Sequence, residues 1–378
     1  MQTVSRRVIL LVLSAGVLFS VGAQAQLARS IESGAVFVMN NSATRNQIIS
    51  FTRAADGSLQ KAGTFATGGR GSGGVTDPLE SQGSLTLSQD RSLLFAVNAG
   101  SGEISVFRVN GSNLALVDRK ATGGSEPNAV AQHGNLLYVL NVGGSSNVIG
   151  FALHAGGQIR PITNSIRFLT TNNSEGASLA FSPDGRFLLV TERATNNIDV
   201  FSVRPDGTLA SIVVNSDLAP GTFALTFARN GAALVSETGP AGASNASTVS
   251  SYSVLANGTL SAISTGVPTL GNANCWNVVT PNGHWAYVSN AGSSTIAGFS
   301  IDTNGALTPI GPTVVGINPS GSGNLDIAVS SDGKFLYSLN SGNGTIGVFG
   351  IQEDGTLLNV DQVEAISAQA GFNGIAAF

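Results

Sequence analysis

The sequence predicts an all-β fold, a seven-bladed β-propeller with four-stranded blades, and three observations predict it. The chain has 48 Gly among 378 residues and only 11% charged residues, a composition that disfavours long charged helices. Short runs of Val, Ile, Phe and Leu alternate with Gly- and Asn-rich segments, as in strands joined by turns. One pattern of strands and turns also recurs along the chain at the length of a propeller blade.

The first 25 residues have the features of a signal peptide. Arg6 and Arg7 precede an apolar stretch at residues 8–21, and Ala23-Gln24-Ala25 forms a small-x-small cleavage site. The apolar stretch is shorter than the roughly 20 residues of a membrane-spanning helix, which disfavours the alternative of a retained anchor. We expect a periplasmic or secreted protein with one propeller domain at residues 26–378 and no membrane span after signal removal. The general and twin-arginine export routes both stay open.

The repeat is clearest in two segments, SLAFSPDGRFLLVTERATNNIDVFSVRPDGTL from Ser178 and DIAVSSDGKFLYSLNSGNGTIGVFGIQEDGTL from Asp326. In each, two apolar strands joined by a polar turn are followed by a third strand, an Asp-Gly turn and a fourth strand. Asp-Gly and Asn-Gly between apolar runs are the strongest short signals of a β-hairpin. Each repeat therefore predicts one four-stranded blade.

The residues that end the second strands give the number of blades. They lie 43 to 58 residues apart, at Asn40, Asn98, Asn141, Glu192, Glu237, Asn290 and Asn340. The first repeat lacks a first strand, whereas GIAAF at residues 374–378 resembles a first strand with nothing after it. Joining these two ends completes a seventh blade and removes exposed sheet edges. The alternative, a six-bladed ring, leaves both segments unpaired.

The seven second-strand ends are predicted to ring one mouth of the central channel, because they share a sheet edge with the starts of the innermost strands. Five are Asn, which commonly bonds nearby backbone groups in turns. Glu192 and Glu237 break this pattern on adjacent blades. Two carboxylates at one mouth can raise each other's pKa or bind a cation, or they are simply solvated. Arg193 is placed to neutralise one of them or to hold a carboxylate ligand.

Other residues near the starts of the innermost strands are candidates for ligand binding. Trp276 suits either stacking on a sugar-like ligand or filling the top of the channel. Cys275 is the single cysteine and has no basic neighbour in the sequence that would lower its pKa. The complete set of candidate binding residues is Glu126, Asn274, Cys275, Trp276, Asn290 and Asp326. No metal or cofactor motif is present, and a net charge of −4 without a basic cluster argues against nucleic-acid binding.

The repeats YVLN at Tyr138, YVSN at Tyr287 and YSLN at Tyr337, with SPDGRFLLV and SSDGKFLYS, resemble those of the lactonase family of seven-bladed propellers. That family includes bacterial 6-phosphogluconolactonases and fungal carboxymuconate lactonising enzymes. The resemblance covers nearly all of residues 26–378 and implies acid–base catalysis on a lactone.

The resemblance also implies positions for the catalytic groups, and this chain departs from them. The family pattern has a His and an Arg before two successive first strands, and a Glu after the Asn that ends the second strand of the later blade. Here the His position falls near Glu126, the Arg position on Ala177, and the Asn-Glu pair on Glu192-Arg193. A carboxylate and an arginine are thus present in exchanged order, and the histidine and the first arginine are absent.

Two functions follow from the sequence. The first is a lactonase-like hydrolase acting on a lactone or similar cyclic ester, with Glu192 as general base, Glu237 as its partner and Arg193 stabilising the oxyanion or a substrate carboxylate. The alternative is a non-catalytic propeller that binds a glycan, peptide or protein partner at the same mouth. A monomer without a cofactor is expected in either case.

Overall fold

The computed structural model describes residues 34–378. The predicted signal peptide at residues 1–25 lies outside the described residues. Within the described part of the chain, no helix has the length and apolar character to cross a membrane. The described strands form seven antiparallel sheets, which confirms the predicted seven-bladed propeller.

Each blade begins with its innermost strand, except that the innermost strand of blade 1 is the last strand of the chain. Blade 1 comprises β29 (Ile375–Ala377), β1 (Gly34–Met39), β2 (Gln47–Arg53) and β3 (Leu59–Ala66). Blade 2 comprises β4 (Leu85–Leu87), β5 (Leu93–Asn98), β6 (Glu103–Asn110) and β7 (Asn113–Ala121). Blade 3 comprises β8 (Ser125–His133), β9 (Leu136–Gly143), β10 (Asn147–Leu153) and an outer strand in two pieces, β11 (Ile159–Pro161) and β12 (Arg167–Phe168).

The remaining four blades have four strands each. Blade 4 comprises β13 (Gly176–Phe181), β14 (Phe187–Glu192), β15 (Asn197–Ser202) and β16 (Val213–Ser216). Blade 5 comprises β17 (Thr222–Phe227), β18 (Ala233–Glu237), β19 (Thr248–Val254) and β20 (Leu260–Pro268). Blade 6 comprises β21 (Asn274–Val279), β22 (Trp285–Asn290), β23 (Thr295–Ile301) and β24 (Leu307–Ile317). Blade 7 comprises β25 (Asn324–Val329), β26 (Phe335–Asn340), β27 (Thr345–Ile351) and β28 (Leu357–Glu364).

The ring closes where the two ends of the propeller meet in blade 1. Strand β29 pairs with β1 in antiparallel register, so that Val36 faces Ala377. The N–H of Phe378 donates to the Ala35 carbonyl at 3.0 Å. Arg53, which is buried, adds an ion pair to Asp332 of blade 7 at 3.2 Å. The predicted joining of residues 374–378 to the first repeat is therefore confirmed.

Packing between blades explains part of the repeat seen in the sequence. The tyrosine of YVLN, Tyr138, is buried and donates its hydroxyl hydrogen to the carbonyl of Gly207 at 2.7 Å. Tyr287 makes the same bond to Gly355 at 2.8 Å. Both glycines lie in Asp-Gly turns and have φ values of +80° and +82°, a conformation that glycine adopts without strain. In blades 3 and 6 the tyrosine and the turn glycine of the next blade thus form the same contact, which satisfies a buried hydroxyl, whereas the buried hydroxyl of Tyr337 in blade 7 has no partner among the described residues.

The innermost strands of blades 3 to 7 are irregular where they approach the channel mouth. Each has a register shift, and in blades 6 and 7 the extra residue is Cys275 and Asp326, respectively. A bulge bends its strand and re-aims the side chain of the extra residue. The fold therefore gives these two positions an orientation that a regular strand would not.

The closure predicts a specific sensitivity at Gly34. A Cβ atom at this position would lie 1.9 Å from the Phe378 carbonyl oxygen. We expect Gly34→Ala to lower the free energy of unfolding by about 1–3 kcal/mol, as overpacking does in other proteins, and to lower the Tm measured by calorimetry. Gly350→Ala is the matched control, because a Cβ there meets no atom closer than 3.5 Å. Equal Tm values for the two variants would contradict the described closure.

Candidate functional site

The channel mouth is occupied by the segment between β3 and β4, residues 67–84, which we call the channel loop. The backbone N–H of Gln82 donates to the Ala177 carbonyl of blade 4 at 2.9 Å, and its side-chain amide donates to the Asn277 carbonyl of blade 6 at 2.9 Å. Ser81 donates to the Asn128 carbonyl of blade 3 at 2.8 Å. The loop thus contacts three innermost strands and carries Asp77 and Glu80 to the mouth.

Arg193 lies in this mouth, between two carboxylates from other parts of the chain. Its guanidinium forms ion pairs with Glu80 of the channel loop and with Glu175, the latter at 3.1 Å. The guanidinium also stacks over the ring of Phe223, 5.6 Å from its centroid. Arg193 therefore neutralises Glu80 and Glu175, and not Glu192 or Glu237 as the sequence suggested.

Asp77 is recessed beside this cluster. Its Oδ1 accepts hydrogen bonds from the Glu80 N–H and the Asn373 side-chain amide, both at 3.1 Å. No described residue donates to Oδ2, and the residue as a whole is half-buried. Desolvation, with the nearby charge of Glu80, raises the pKa of Asp77 to about 7, although Arg193 acts in the opposite direction. The residue therefore exists in both protonation states at neutral pH.

Asp326 and Cys275, which were predicted as ligand-binding residues, are buried beneath the mouth. Asp326 accepts the N–H of Ile375 in β29 at 3.1 Å and thereby links blade 7 to blade 1. Burial raises the pKa of Asp326 to about 7. Burial also raises the pKa of the Cys275 thiol well above its usual value, with a further contribution from Asp77. Cys275 is therefore a thiol, not a nucleophilic thiolate, at neutral pH.

Two of the asparagines that end the second strands, Asn98 and Asn141, stabilise the connections packed over them. Thr67, in the connection that precedes blade 2, donates to the Asn98 side-chain oxygen at 2.6 Å. Thr122, in the connection that precedes blade 3, donates to Asn141 at 2.7 Å. Both asparagines are completely buried. This arrangement agrees with the interpretation of these residues as turn-stabilising groups.

Glu192 occupies the same structural position as these asparagines. Its carboxylate accepts hydrogen bonds from the Thr170 N–H at 2.8 Å and from the hydroxyls of Thr170 and Thr195, and its exposed fraction is 0%. Glu237 is also 0% exposed and accepts the Thr248 hydroxyl at 2.6 Å. Neither side chain reaches the mouth. This placement does not support the predicted roles of Glu192 as general base and Glu237 as its partner.

Each buried glutamate faces a second buried carboxyl group. Burial and the neighbouring Glu192 raise the pKa of Asp199 to about 9. Burial and the neighbouring Asp217 raise the pKa of Glu237 to about 8. At neutral pH each pair therefore retains a proton, which removes the repulsion between two adjacent carboxylates.

Trp276 fills the channel, which is the second of the two alternatives that the sequence left open. Its side chain is 1% exposed and packs edge-on against Phe223, with ring centroids 5.3 Å apart. The indole N–H donates to the Ser81 carbonyl of the channel loop at 3.0 Å. The tryptophan therefore supports the loop from below and offers no free face to a ligand.

The other predicted binding residues divide between the blade interior and the surface. Asn274 is buried and donates to the Thr248 carbonyl at 2.6 Å. Asn290 is also buried and donates to the Thr295 hydroxyl at 3.2 Å. Glu126 is exposed and lies at the start of β8 with a φ of +51°. Of these three residues, only Glu126 is accessible to a ligand.

Among residues 34–378, no group of three or more His, Cys, Asp or Glu side chains is arranged to hold a metal ion. The candidate functional site is a cluster of charged residues at the channel mouth, which we call the acidic mouth. It consists of Asp77, Glu80, Glu175 and Arg193. Asp77 and Glu80 were not identified from the sequence, because the channel loop has no repeat that assigns its residues to a blade. The Asp-Pro at residues 77–78 indicates a turn but not its place over the channel.

The fold and the mouth define a seven-bladed propeller with titratable groups at one end of its channel. The sequence matches the model of the lactonase family, described as a 7-bladed β-propeller, in three overlapping segments at residues 44–168, 144–275 and 246–370. The chain belongs to this family. Among curated proteins, no sequence match was found.

Solved structures share the fold at low sequence identity. A Bacteroides uniformis protein provisionally assigned as a 6-phosphogluconolactonase has 20% identity and a TM-score of 0.69, over 91% of this chain and 99% of its own. A periplasmic gluconolactonase from Pseudomonas aeruginosa has 18% identity and a TM-score of 0.66, over 91% of this chain and 98% of its own. A Lactobacillus plantarum protein has 18% identity and a TM-score of 0.70, over 91% and 98%, respectively. At this identity the similarity establishes the fold alone.

The buried carboxyl pairs predict that stability falls as pH rises. The pKa of Asp199 is raised from 3.8 to about 9, so between these values the native state binds more protons than the unfolded state. The free energy of unfolding therefore decreases with rising pH in this range, and Asp199→Asn removes that contribution. We expect the Tm of this variant relative to wild type to increase from pH 5 to pH 9, by several degrees on the scale of roughly 2 °C per kcal/mol.

Asp361→Asn is the control for this experiment, because Asp361 is exposed on β28. Its Tm relative to wild type should stay constant across the same pH series. A constant Tm difference for Asp199→Asn would show that Asp199 ionises normally in the folded protein.

Proposed function

We propose that this chain is a lactonase-like hydrolase, periplasmic or secreted, that opens a lactone or related cyclic ester at the acidic mouth. Asp77 is the general base and Arg193 stabilises the developing negative charge. The observation that carries this proposal is the state of Asp77: both of its described hydrogen-bond donors go to Oδ1, its pKa is about 7, and the Arg193 guanidinium is close enough to lower that pKa. Membership of the lactonase family supports the reaction class.

The reaction begins with proton transfer from water to Asp77. A carboxylate with a pKa near the working pH is an efficient general base, because it is both ionised and basic enough to accept the proton. The Asn373 amide and the Glu80 N–H hold Oδ1, which leaves Oδ2 for the water molecule. The water oxygen forms a bond to the lactone carbonyl carbon as its proton moves to Asp77.

Arg193 then stabilises the oxyanion that forms on the former carbonyl oxygen. Its Nη2 is engaged by Glu80 and Glu175, whereas Nη1 has no acceptor among the described residues. Donors fixed in advance toward developing charge lower the barrier without reorganisation. When the tetrahedral centre collapses, the ring C–O bond breaks and the leaving oxygen takes the proton from Asp77. The product is an open-chain hydroxy acid.

Asp77→Asn should abolish most of the turnover, because an amide cannot accept the proton from water. We expect kcat to fall by roughly 10²–10⁴-fold, the usual contribution of a general base, with a small change in KM. The measurement is hydrolysis of a panel of lactones and aryl esters by the folded protein, with Asp361→Asn as the control. Turnover by Asp77→Asn at the wild-type rate would contradict the role of Asp77.

A double variant, Glu192→Gln with Glu237→Gln, tests the assignment made from the sequence. Because both side chains are buried, we expect it to retain a substantial part of the wild-type kcat if it folds. Loss of turnover in a folded double variant, with Asp77→Asn active, would return the general base to Glu192. Absence of turnover by wild type across the panel, with saturable binding of a ligand recovered unchanged, would instead establish the binding propeller.

The pH dependence of turnover is expected to follow the ionisation of Asp77. Since the base acts in its ionised form, kcat/KM should rise with pH and level off above about pH 7. Steady-state assays between pH 5 and pH 9 measure this limb. A profile that is flat from pH 5 to pH 8 would exclude Asp77 as the group whose ionisation controls the rate.

A further inference from the structure

We infer that the mouth selects an uncharged, hydroxyl-bearing lactone and discriminates against lactones that carry a phosphate or carboxylate. This inference rests on the proposed function and assigns the substrate class of the same site. It follows from the charges that the fold brings together around Arg193.

The ion-pair cluster at the mouth has an excess of negative charge. Arg193 contributes one positive charge, whereas Glu80 and Glu175 contribute two negative charges in contact with it. Asp77 adds a partial negative charge at neutral pH, because its pKa is about 7. Arg193 is therefore compensated by its own neighbours before a substrate arrives.

The arginine side chains of the nearby loops make no described contact with the acidic mouth. Arg70 belongs to the channel loop, but its guanidinium donates to the Gly100 carbonyl, in the turn between the second and third strands of blade 2. Arg45 is exposed in the corresponding turn of blade 1. Neither side chain has a described contact with the Asp77 and Glu80 cluster. A bound phosphate would therefore meet carboxylates that no second arginine offsets.

The acidic mouth affects a permanent anion on the substrate differently from the transient oxyanion of the reaction, because the two charges form at different places and times. The oxyanion forms only on the former carbonyl oxygen, where the Nη1 group of Arg193 is available to donate. A phosphate or carboxylate elsewhere on the substrate would lie among the negative charges of the mouth both in the bound substrate and in the transition state. Repulsion between like charges is a recognised means of rejecting wrong ligands. The cluster thus permits oxyanion stabilisation while it disfavours anionic substrates.

The same carboxylates favour substrates that are rich in hydrogen-bond donors. Ionised Glu side chains only accept hydrogen bonds. Glu80 and Glu175 are more than half exposed and retain acceptor capacity beyond their contact with Arg193. Hydroxyl groups on a lactone ring would supply the matching donors. An uncharged polyhydroxylated lactone fits both the charge and the hydrogen-bonding capacity of the mouth.

The test compares δ-gluconolactone with its 6-phosphate as substrates of the full-length protein. We expect wild type to show at least about a ten-fold higher kcat/KM for the uncharged lactone at low ionic strength, and a smaller ratio at high salt because exposed charges are screened. In Glu80→Gln with Glu175→Gln, which frees Arg193, the ratio should fall by about ten-fold or more. Glu103→Gln, at an ion pair with Arg119 on blade 2, is the control and should leave the ratio unchanged.

Failure of this inference is distinguishable from failure of the proposed function. Wild-type preference for the phosphorylated lactone, or an unchanged ratio in the double variant, would overturn charge selection and leave the hydrolase in place. Calorimetric titration with the two corresponding lactams, whose ring amides resist hydrolysis, reports the preference independently of turnover. Tighter binding of the neutral lactam without lactone turnover would overturn the hydrolase and support charge selection, whereas binding of neither lactam together with no lactone turnover would overturn both.

Discussion

Antiparallel pairing of β29 with β1 is the interaction on which the arrangement of the seven blades depends. The innermost strands lie side by side around the channel, and β29 fills the position between β25 of blade 7 and β4 of blade 2. Without it, β1 would present an open edge and blades 7 and 2 would lose a common neighbour. Arg53 strengthens this closure, because it is buried at the same place and joins Asp332 of blade 7 to the carbonyl of Phe378, the residue that follows β29.

The closed ring buries polar side chains at the ends of the second strands. The hydrogen-bond partners of these side chains determine the direction of the neighbouring residues at the mouth. In blades 2, 3 and 4 the second strand ends under the connection from the preceding blade, where Asn98, Asn141 and Glu192 find hydrogen-bond partners. Glu192 is held by Thr170 and Thr195. Its neighbour in the chain, Arg193, is consequently directed away from the blade and toward Glu80 and Glu175. A structural carboxylate thus positions the arginine that we assign to catalysis.

Carboxyl groups in this protein have two physical roles, which burial separates. Asp199 and Glu237 lie in dry interiors, where desolvation raises the pKa of each to about 9 and 8, respectively, so that a proton is retained. Asp77 is half-buried and has one oxygen without a described donor, and its pKa of about 7 suits the proton transfer that we propose. Glu80 and Glu175 are exposed and set the charge of the mouth. In our proposal, solvent access and not residue type therefore separates the structural carboxylates from the reactive one.

The sequence by itself determined the fold class, the number of blades and the closure, because alternating apolar strands and Asp-Gly turns are local signals that recur with each blade. It also placed Arg193 near the mouth, from its position after a second strand. Only the tertiary structure decided that Glu192 and Glu237 are buried, because a strand-end residue turns inward or outward according to the connection packed over it. The roles of Asp77 and Glu80 likewise depended on the path of the channel loop, since long-range contacts with Ala177 and Asn277, not a local pattern, hold that loop across the mouth.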